Sequence, residues 1–331
     1  MKYPSPLPGP SPTAASATAF LLAAALPLLA PSAVRAEDFI TTVGAIELVL
    51  VEPGSFTMGD RDGLGYEDER PLHAVDITRP FYIGRFEITQ TQYAAVMDNN
   101  PSAAVGPDRP VECVSWEDAQ EFARKLGRLE GAEGFRLPTE AEWEFAARAG
   151  TKESYLGGSG PGGIGPYAWY GGNSGGGHRP VGLKAPNAWG LHDVLGNVWE
   201  WTADRYDPDY YAKSPRNDPQ GPDRGSSRIF RGGAWPWDAS SSSLTKRGNY
   251  SYQDYAGSCP FAPAGEEQGT SMWDTDLGFR VAFSDPPGPT SGDSGGAPES
   301  ADSGPPTKSK GSGGSPKSTD SGEPPKTIGR D

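Results

Sequence analysis

Three short helices, each announced by a capping box, are nearly all the helix that the middle of this chain can make, and that limits the folds open to it. Thr89-Gln90-Thr91-Gln92 has the S/T-x-x-E/Q form, in which the Thr oxygen and the Gln side chain each satisfy a backbone N–H that the helix leaves unpaired. Tyr93, Val96 and Met97 then supply an i, i+3, i+4 stripe. Ser115 with Asp118 opens a second helix, whose apolar face is Trp116, Ala119, Phe122, Ala123 and Leu126. Thr139 and Glu142, behind Pro138, open a third with Trp143, Ala146 and Ala147 buried, while Glu144 and Arg148 are spaced for an i, i+4 ion pair. Strand-like runs surround the helices at Ile46–Val51, Phe81–Phe86, Arg228–Arg231 and Gly278–Phe283. From Gly150 to Asn187 the chain is mostly Gly, Pro and aromatic, so little regular structure is expected there. With no βαβ alternation, these elements predict an α+β domain rich in coil.

Composition narrows the function classes. The 331 residues include 45 Gly and 34 Pro, but also 9 Trp, 13 Tyr and 12 Phe, enough aromatic mass for a packed core and too much for a disordered or collagenous chain. A formal net charge of −14 argues against a nucleic-acid or anionic-membrane partner, since both require clustered Lys and Arg. The ends differ from the middle. Residues 1–36 read as an export signal: Lys2, then an apolar run from Ala19 to Ala30 that Pro27 interrupts, then Val34 and Ala36 at cleavage spacing, which makes Glu37 the mature N-terminus. A retained anchor is the other reading of this segment, and no later run is long enough to span a bilayer. Residues 285–331 contain 28 Gly, Pro or Ser among 47 and read as a disordered tail, since they have too little apolar area to offset the entropy of ordering. Residues 37–284 are then one acidic domain, monomeric in the simplest reading. Its two cysteines, Cys113 and Cys259, suit either one disulfide or two separate thiols.

A series of short motifs, in order, carries a resemblance. Phe56-Thr57-Met58-Gly59, Glu69-Arg70-Pro71, Phe86-Glu87-Ile88-Thr89, Val114-Ser115-Trp116-Glu117-Asp118-Ala119, Arg136-Leu137-Pro138-Thr139-Glu140-Ala141-Glu142-Trp143-Glu144, Asn187-Ala188-Trp189-Gly190-Leu191, Gly196-Asn197-Val198-Trp199-Glu200-Trp201, Arg231-Gly232-Gly233-Ala234-Trp235 and Gly278-Phe279-Arg280 together resemble the sulfatase-modifying-factor family, that of the formylglycine-generating enzyme. The resemblance runs from about Val51 to Phe283 and implies a variant of the C-type-lectin-like fold. It also implies a structural calcium on the residues matching Asp193, Gly196, Val198 and Glu200. The residues agree with that. In an extended segment 196, 198 and 200 point one way, so two carbonyls and the Glu200 carboxylate converge, Asp193 closes the set, and hard oxygen ligands suit Ca²⁺. An acidic turn held only by hydrogen bonds is the alternative.

The catalytic pattern is where the resemblance breaks. The family's formylglycine-generating members oxidise a sulfatase cysteine with a cysteine pair six and eleven residues after the Arg of the Arg-Gly-Gly motif, and here those places hold Trp237 and Ser242. Neither an indole nor a hydroxyl replaces a thiolate as soft ligand or redox centre. The family's active-site Ser is Ala234, its Asn before the Leu-Gly-Phe-Arg run is Asp276, and its structural half-cystines are Ala123 and Ala147. Copper is therefore not expected. Nor is iron, because His73, His178 and His192 lack ligand spacing and read as ordinary surface or hydrogen-bonding residues. What the resemblance leaves is a groove with Trp169, Tyr170, Trp199, Trp235 and Trp237 near it, and with Ser242 and Asp276 at the altered centre. Trp199 and Trp201 read as core; Trp237 reads equally as binding or packing residue. Two functions remain open: an exported oxidase working without the cysteine pair on a protein or peptide substrate, as the similar periplasmic pyoverdine-maturation proteins do, or a calcium-braced module that binds peptides or glycans without chemistry.

Overall fold

The computed structural model describes residues 38–251 and 276–284, and the features below are those of these residues. The expected export signal, the tail and Cys259 lie outside them. The elements in chain order are β1 (Phe39–Ile40), β2 (Glu47–Val51), β3 (Gly54–Met58), β4 (His73–Ile77), β5 (Phe81–Gly84), α1 (Gln90–Met97), α2 (Trp116–Glu130), β6 (Phe135–Arg136), α3 (Glu140–Arg148), β7 (Ala168–Trp169), β8 (Leu195–Gly196), β9 (Trp199–Arg205), β10 (Ser227–Arg231), β11 (Arg247–Ser251), β12 (Leu277–Gly278) and β13 (Ala282–Phe283). The fold is α+β with long stretches of coil, as the sequence pattern predicts. Among the described residues no helix is long and apolar enough to cross a membrane.

All three helices start where the caps place them. Thr89, Ser115 and Thr139 each accept the backbone N–H three residues on, and Gln92, Asp118 and Glu142 reach back to complete the box. The apolar face of α2 is buried as expected, with Ala119, Phe122, Ala123 and Leu126 inside. Helix α3 differs from a surface helix. Ala141 and every residue from Trp143 to Arg148 are buried, so the Glu144–Arg148 pair, at 2.8 Å, sits in the core and not on a wet face.

Two sheets frame the domain. One has the order β1-β2-β5-β13-β6 and the other β11-β10-β9-β12. The run Gly278–Phe283 is not one strand as its composition suggests: β12 pairs in parallel with β9, and β13 crosses to pair with β5 and β6. The three residues between them are where the chain changes sheets, and they carry Phe279 and Arg280 into the core. Central in the second sheet, β9 places Glu200 opposite Arg231 of β10 and Gly278 of β12. Gly278 is required there, because a Cβ would collide with the Val111 carbonyl oxygen. Aromatic edges fill the core beside it: Phe230 meets Trp199 and Trp201 at 5.1 and 5.6 Å. Cys113 is disulfide-bonded, and the sequence holds one other cysteine, Cys259.

Candidate functional site

The altered centre is assembled where β9, the turn after β10 and the residue before β12 meet. Asp276 accepts the Trp237 indole N–H on Oδ2 at 2.7 Å, and its carbonyl accepts the Trp199 backbone N–H at 2.6 Å. Trp199 and Trp237 meet edge to face at 6.4 Å. The Trp235 N–H donates to the Asn197 carbonyl, and the Gly171 N–H to that of Trp237, which brings Tyr170 alongside. So the sequence-predicted residues Trp199, Trp235, Trp237 and Asp276 form one cluster. Most of it is core. Trp199, Trp201, Trp235, Ala234 and Asp276 are buried, while Trp237 and Tyr170 are half-buried and Asp238 is exposed.

Ser242 occupies its place in a different way. It is fully buried, and its Oγ has no hydrogen-bond partner among the described residues. Gly233, left-handed at φ +82°, packs directly on it: a Cβ there would lie 2.5 Å from that oxygen. Among the described residues no base hydrogen-bonds to the hydroxyl, and Ser242 packs in this site under Gly233. Trp169, expected at the rim, has its own protein's cation on its face, with Lys184 Nζ 3.9 Å from the ring centroid.

Below the cluster lies a group of buried carboxylates. Arg280 grips Glu200 bidentately, with Nε to Oε2 and Nη2 to Oε1 both 2.6 Å, and the Trp143 indole N–H adds a third bond to Oε2 at 2.7 Å. Glu87 accepts from Asn197 Nδ2 at 2.6 Å and from the Val198 N–H at 3.0 Å. Asp193 accepts the Gly182 N–H on Oδ2 at 2.7 Å, and its Oδ1 is buried without a hydrogen-bond partner among the described residues. Three buried acids thus share one buried arginine. Burial first, then the charges of Asp193 and Glu200, push the Glu87 carboxyl well above its ordinary range. Burial likewise raises Asp193, to about 6. Glu87 and Asp193 thus hold their protons more tightly than exposed carboxyls do.

The four residues expected to hold calcium meet this arrangement unequally. Asp193 fits, since it offers an orphaned, buried oxygen. Gly196 fits in shape: at φ +75°, and with the Trp169 backbone filling the space where a Cβ would stand, only glycine can occupy it. The expectation that 196, 198 and 200 alternate along one extended segment is corrected. Gly196 and Asn197 are both left-handed, β8 ends at Gly196 and β9 starts at Trp199, so the chain kinks between them. Glu200 is turned to Arg280 and Trp143, which use three of its roughly four acceptor positions. Among the described residues no set of three or more His, Cys, Asp or Glu side chains is arranged to hold a metal ion. Any calcium here would rest on Asp193, the remaining position of Glu200 and the carbonyls of Gly196 and Val198.

The histidines lie in separate surroundings: His73 against Tyr211 at 4.6 Å, His192 with Nδ1 2.8 Å from the Lys184 carbonyl. The surface or hydrogen-bonded reading fails for His178, which is buried with Nε2 3.5 Å from Glu112 and neither ring nitrogen hydrogen-bonded among the described residues. Sequence reasoning also assigns Glu87 no role. Its one signal is a lone carboxylate between Phe86 and Ile88, a position that burial makes polar only for a reason.

A coil-rich α+β domain with this buried acid cluster beneath an Arg-Gly-Gly turn defines a class, and comparison with known proteins supplies the family. The sulfatase-modifying factor enzyme 1-like domain matches residues 40–284, and the chain belongs to that family. It is 33% identical over 247 residues to a formylglycine-generating enzyme of Streptomyces coelicolor, covering 55% of this chain and 76% of that one. It is 31% identical over 253 residues to a protein named chaperone protein LppX of Paenibacillus barcinonensis, covering 62% and 84%. Among solved structures, Treponema denticola variable protein 1 matches with a TM-score of 0.63 at 31% identity, over 75% of this chain and 99% of that one. PvdO from Pseudomonas aeruginosa matches with a TM-score of 0.61 at 28% identity, over 74% and 97%.

Proposed function

We propose that this chain is an exported, non-catalytic member of its family, a module that binds a cationic peptide at the half-buried face of Trp237 and Tyr170. The observation that carries this reading is the fate of the cysteine-pair positions: Trp237 is pinned to Asp276 by its indole N–H, and Ser242 is sealed under Gly233. Flat aromatic faces with Asp238 exposed next to them suit a cationic side chain, in a protein of net charge −14. The relatives' names, an enzyme, a chaperone and a variable protein, are consistent with one scaffold serving unlike tasks. Export rests on the sequence of residues 1–36 alone. In a binding assay against a lysine- and arginine-containing peptide library, Trp237→Ala is expected to weaken the selected peptides at least tenfold, on the order of 1.4 kcal/mol. Equal binding by wild type and variant places the ligand elsewhere; selection of glycans with no peptide bound overturns the peptide assignment.

A structural Ca²⁺ belongs to the same proposal, with Asp193, Glu200 and the carbonyls of Gly196 and Val198 as its ligands. Its effect would be to neutralise the excess negative charge of Glu87, Asp193 and Glu200. Calcium at about a hundredfold over its dissociation constant is then expected to raise stability by roughly 2.7 kcal/mol. Asp193→Ala should lose that gain. A melting temperature that responds to Ca²⁺ identically in both proteins, or not at all in wild type, removes calcium from the account.

A further inference from the structure

A second site is built from elements that the aromatic cluster does not use. Strand β3 forms a two-stranded sheet with β4 alone, and beside it, at the C-terminal end of α3, lies a cavity of about 220 Å³. Its apolar side is Phe56 of β3 and Phe145 of α3, whose rings are 5.3 Å apart and tilted at 41°. Phe145 is wedged in place by Trp189 at 5.1 Å on one side and by Gly54 on the other, where a Cβ would stand 2.8 Å from the ring. Thr57 and Thr151 also line the cavity.

The charged residues of the lining are all basic. Arg61, Arg148 and Lys152 contribute to it, and no Asp or Glu does, although the chain as a whole carries a net charge of −14. The three cations are not equivalent. Arg148 is buried and fully engaged, donating to Glu144 Oε1 and to the carbonyls of Glu153 and Gly59, so it is wall and not hook. Arg61 and Lys152 are exposed and hold no ion pair or hydrogen bond among the described residues. Gly150, also in the lining, is left-handed at φ +89° with open space where a Cβ would stand.

A hollow of this size exceeds the roughly 150 Å³ that holds a benzene ring. It falls below the range of about 300–1,000 Å³ typical of larger ligands. An apolar side with two exposed, uncommitted cations in the lining selects a ring that carries one anionic group: the ring covers what the half-buried Phe56 still shows to water, over the buried Phe145, and the anion makes charge-assisted bonds that neither cation has within the protein. We propose that the cavity between β3 and the end of α3 binds a small aromatic anion, a ring bearing a carboxylate, sulfate or phosphate, held by Arg61 and Lys152.

Phenyl phosphate is the probe, titrated into the full chain and followed by the amide shifts of Thr57 and Gly150. Saturable binding is expected, at least tenfold tighter than that of inorganic phosphate, which lacks the ring, or of benzyl alcohol, which lacks the charge. Benzoate and phenyl sulfate should compete with it. The double variant R61Q/K152Q changes two exposed side chains without internal partners, so its melting temperature should match wild type while its affinity falls at least tenfold. Absence of saturable binding, equal affinity for inorganic phosphate, or unchanged affinity in the double variant overturns the proposal.

Discussion

Replacing Arg231 by alanine is expected to destabilise the folded chain by about 3–5 kcal/mol, the range found when one partner of a buried ion network is removed. The residue is fully buried; its Nη1 donates to Glu140 Oε1 and its Nη2 to Glu144 Oε2, each at 2.6 Å. Nη2 also holds the Leu244 carbonyl at 2.6 Å, and Nη1 the Tyr211 hydroxyl at 3.2 Å. Arg247 and Arg148 would remain on Glu140 and Glu144, but neither reaches both acids, and the space and the acceptors that Arg231 leaves behind are beyond the reach of water. Lysine should recover little, because a point charge cannot bridge two carboxylates as the planar fork does. In a domain of this size such a loss lowers the melting temperature by roughly 6–20 °C. Because Gly232 and Gly233 follow directly, the same variant should loosen the seat of Ser242 and Trp237. A change in stability below about 1 kcal/mol would show that the network is dispensable.

Stability is expected to fall as pH rises from about 4 to 8, and Asp204→Asn should remove the share of that fall that Asp204 carries, leaving the shares of Glu69, Asp193 and Glu87. Asp204 is buried with Oδ2 2.7 Å from the Glu140 N–H; burial first, and then the charge of Glu140, push its carboxyl up to about 8. Glu69, buried between the Tyr66 N–H and the Thr245 hydroxyl, is raised to about 7 chiefly by burial. A raised acid holds its proton more tightly folded than unfolded, so its contribution is complete below the unfolded value and is lost as pH climbs through the folded one. A tenfold difference in proton affinity between the folded and unfolded chain is worth about 1.4 kcal/mol. Asparagine keeps an oxygen for the Glu140 N–H and cannot ionise. The variant should therefore match wild type near pH 4 and exceed it by about 3–6 kcal/mol at pH 8 in denaturant unfolding. Glu140 and Glu144 act in the opposite sense: burial opposes their charge, but Arg247 and Arg148 with Arg231 hold them below their ordinary values, so their contribution is lost in acid. Parallel pH profiles for wild type and variant would contradict the assignment to Asp204.

Local chemistry was legible and partnership was not. The three capping boxes are written within four residues each, and all three form. The split of Gly278–Phe283 between two sheets depends on β9 and β5, some 80 and 200 residues away, and no window of sequence contains that information. The spacing of Glu144 and Arg148 was visible, but their burial follows from Arg231, which enters from β10. At the site, the loss of the cysteine pair could be read from Trp237 and Ser242 alone. That Ser242 is sealed in while Trp237 reaches the surface could not, because the difference lies in Gly233 and Asp276. The calcium segment shows the limit of periodicity: strict alternation fails where two successive residues, Gly196 and Asn197, turn left-handed.

The account stands on the claim that this scaffold no longer oxidises a sulfatase thiol. The direct measurement incubates the purified chain in air with a peptide carrying a sulfatase cysteine motif, following the cysteine by mass spectrometry and oxygen with an electrode. The cysteine should remain unmodified, with oxygen uptake no greater than in a protein-free control. Conversion of that cysteine to an aldehyde, persisting in a chain with Cys113→Ser and Cys259→Ser, would contradict it.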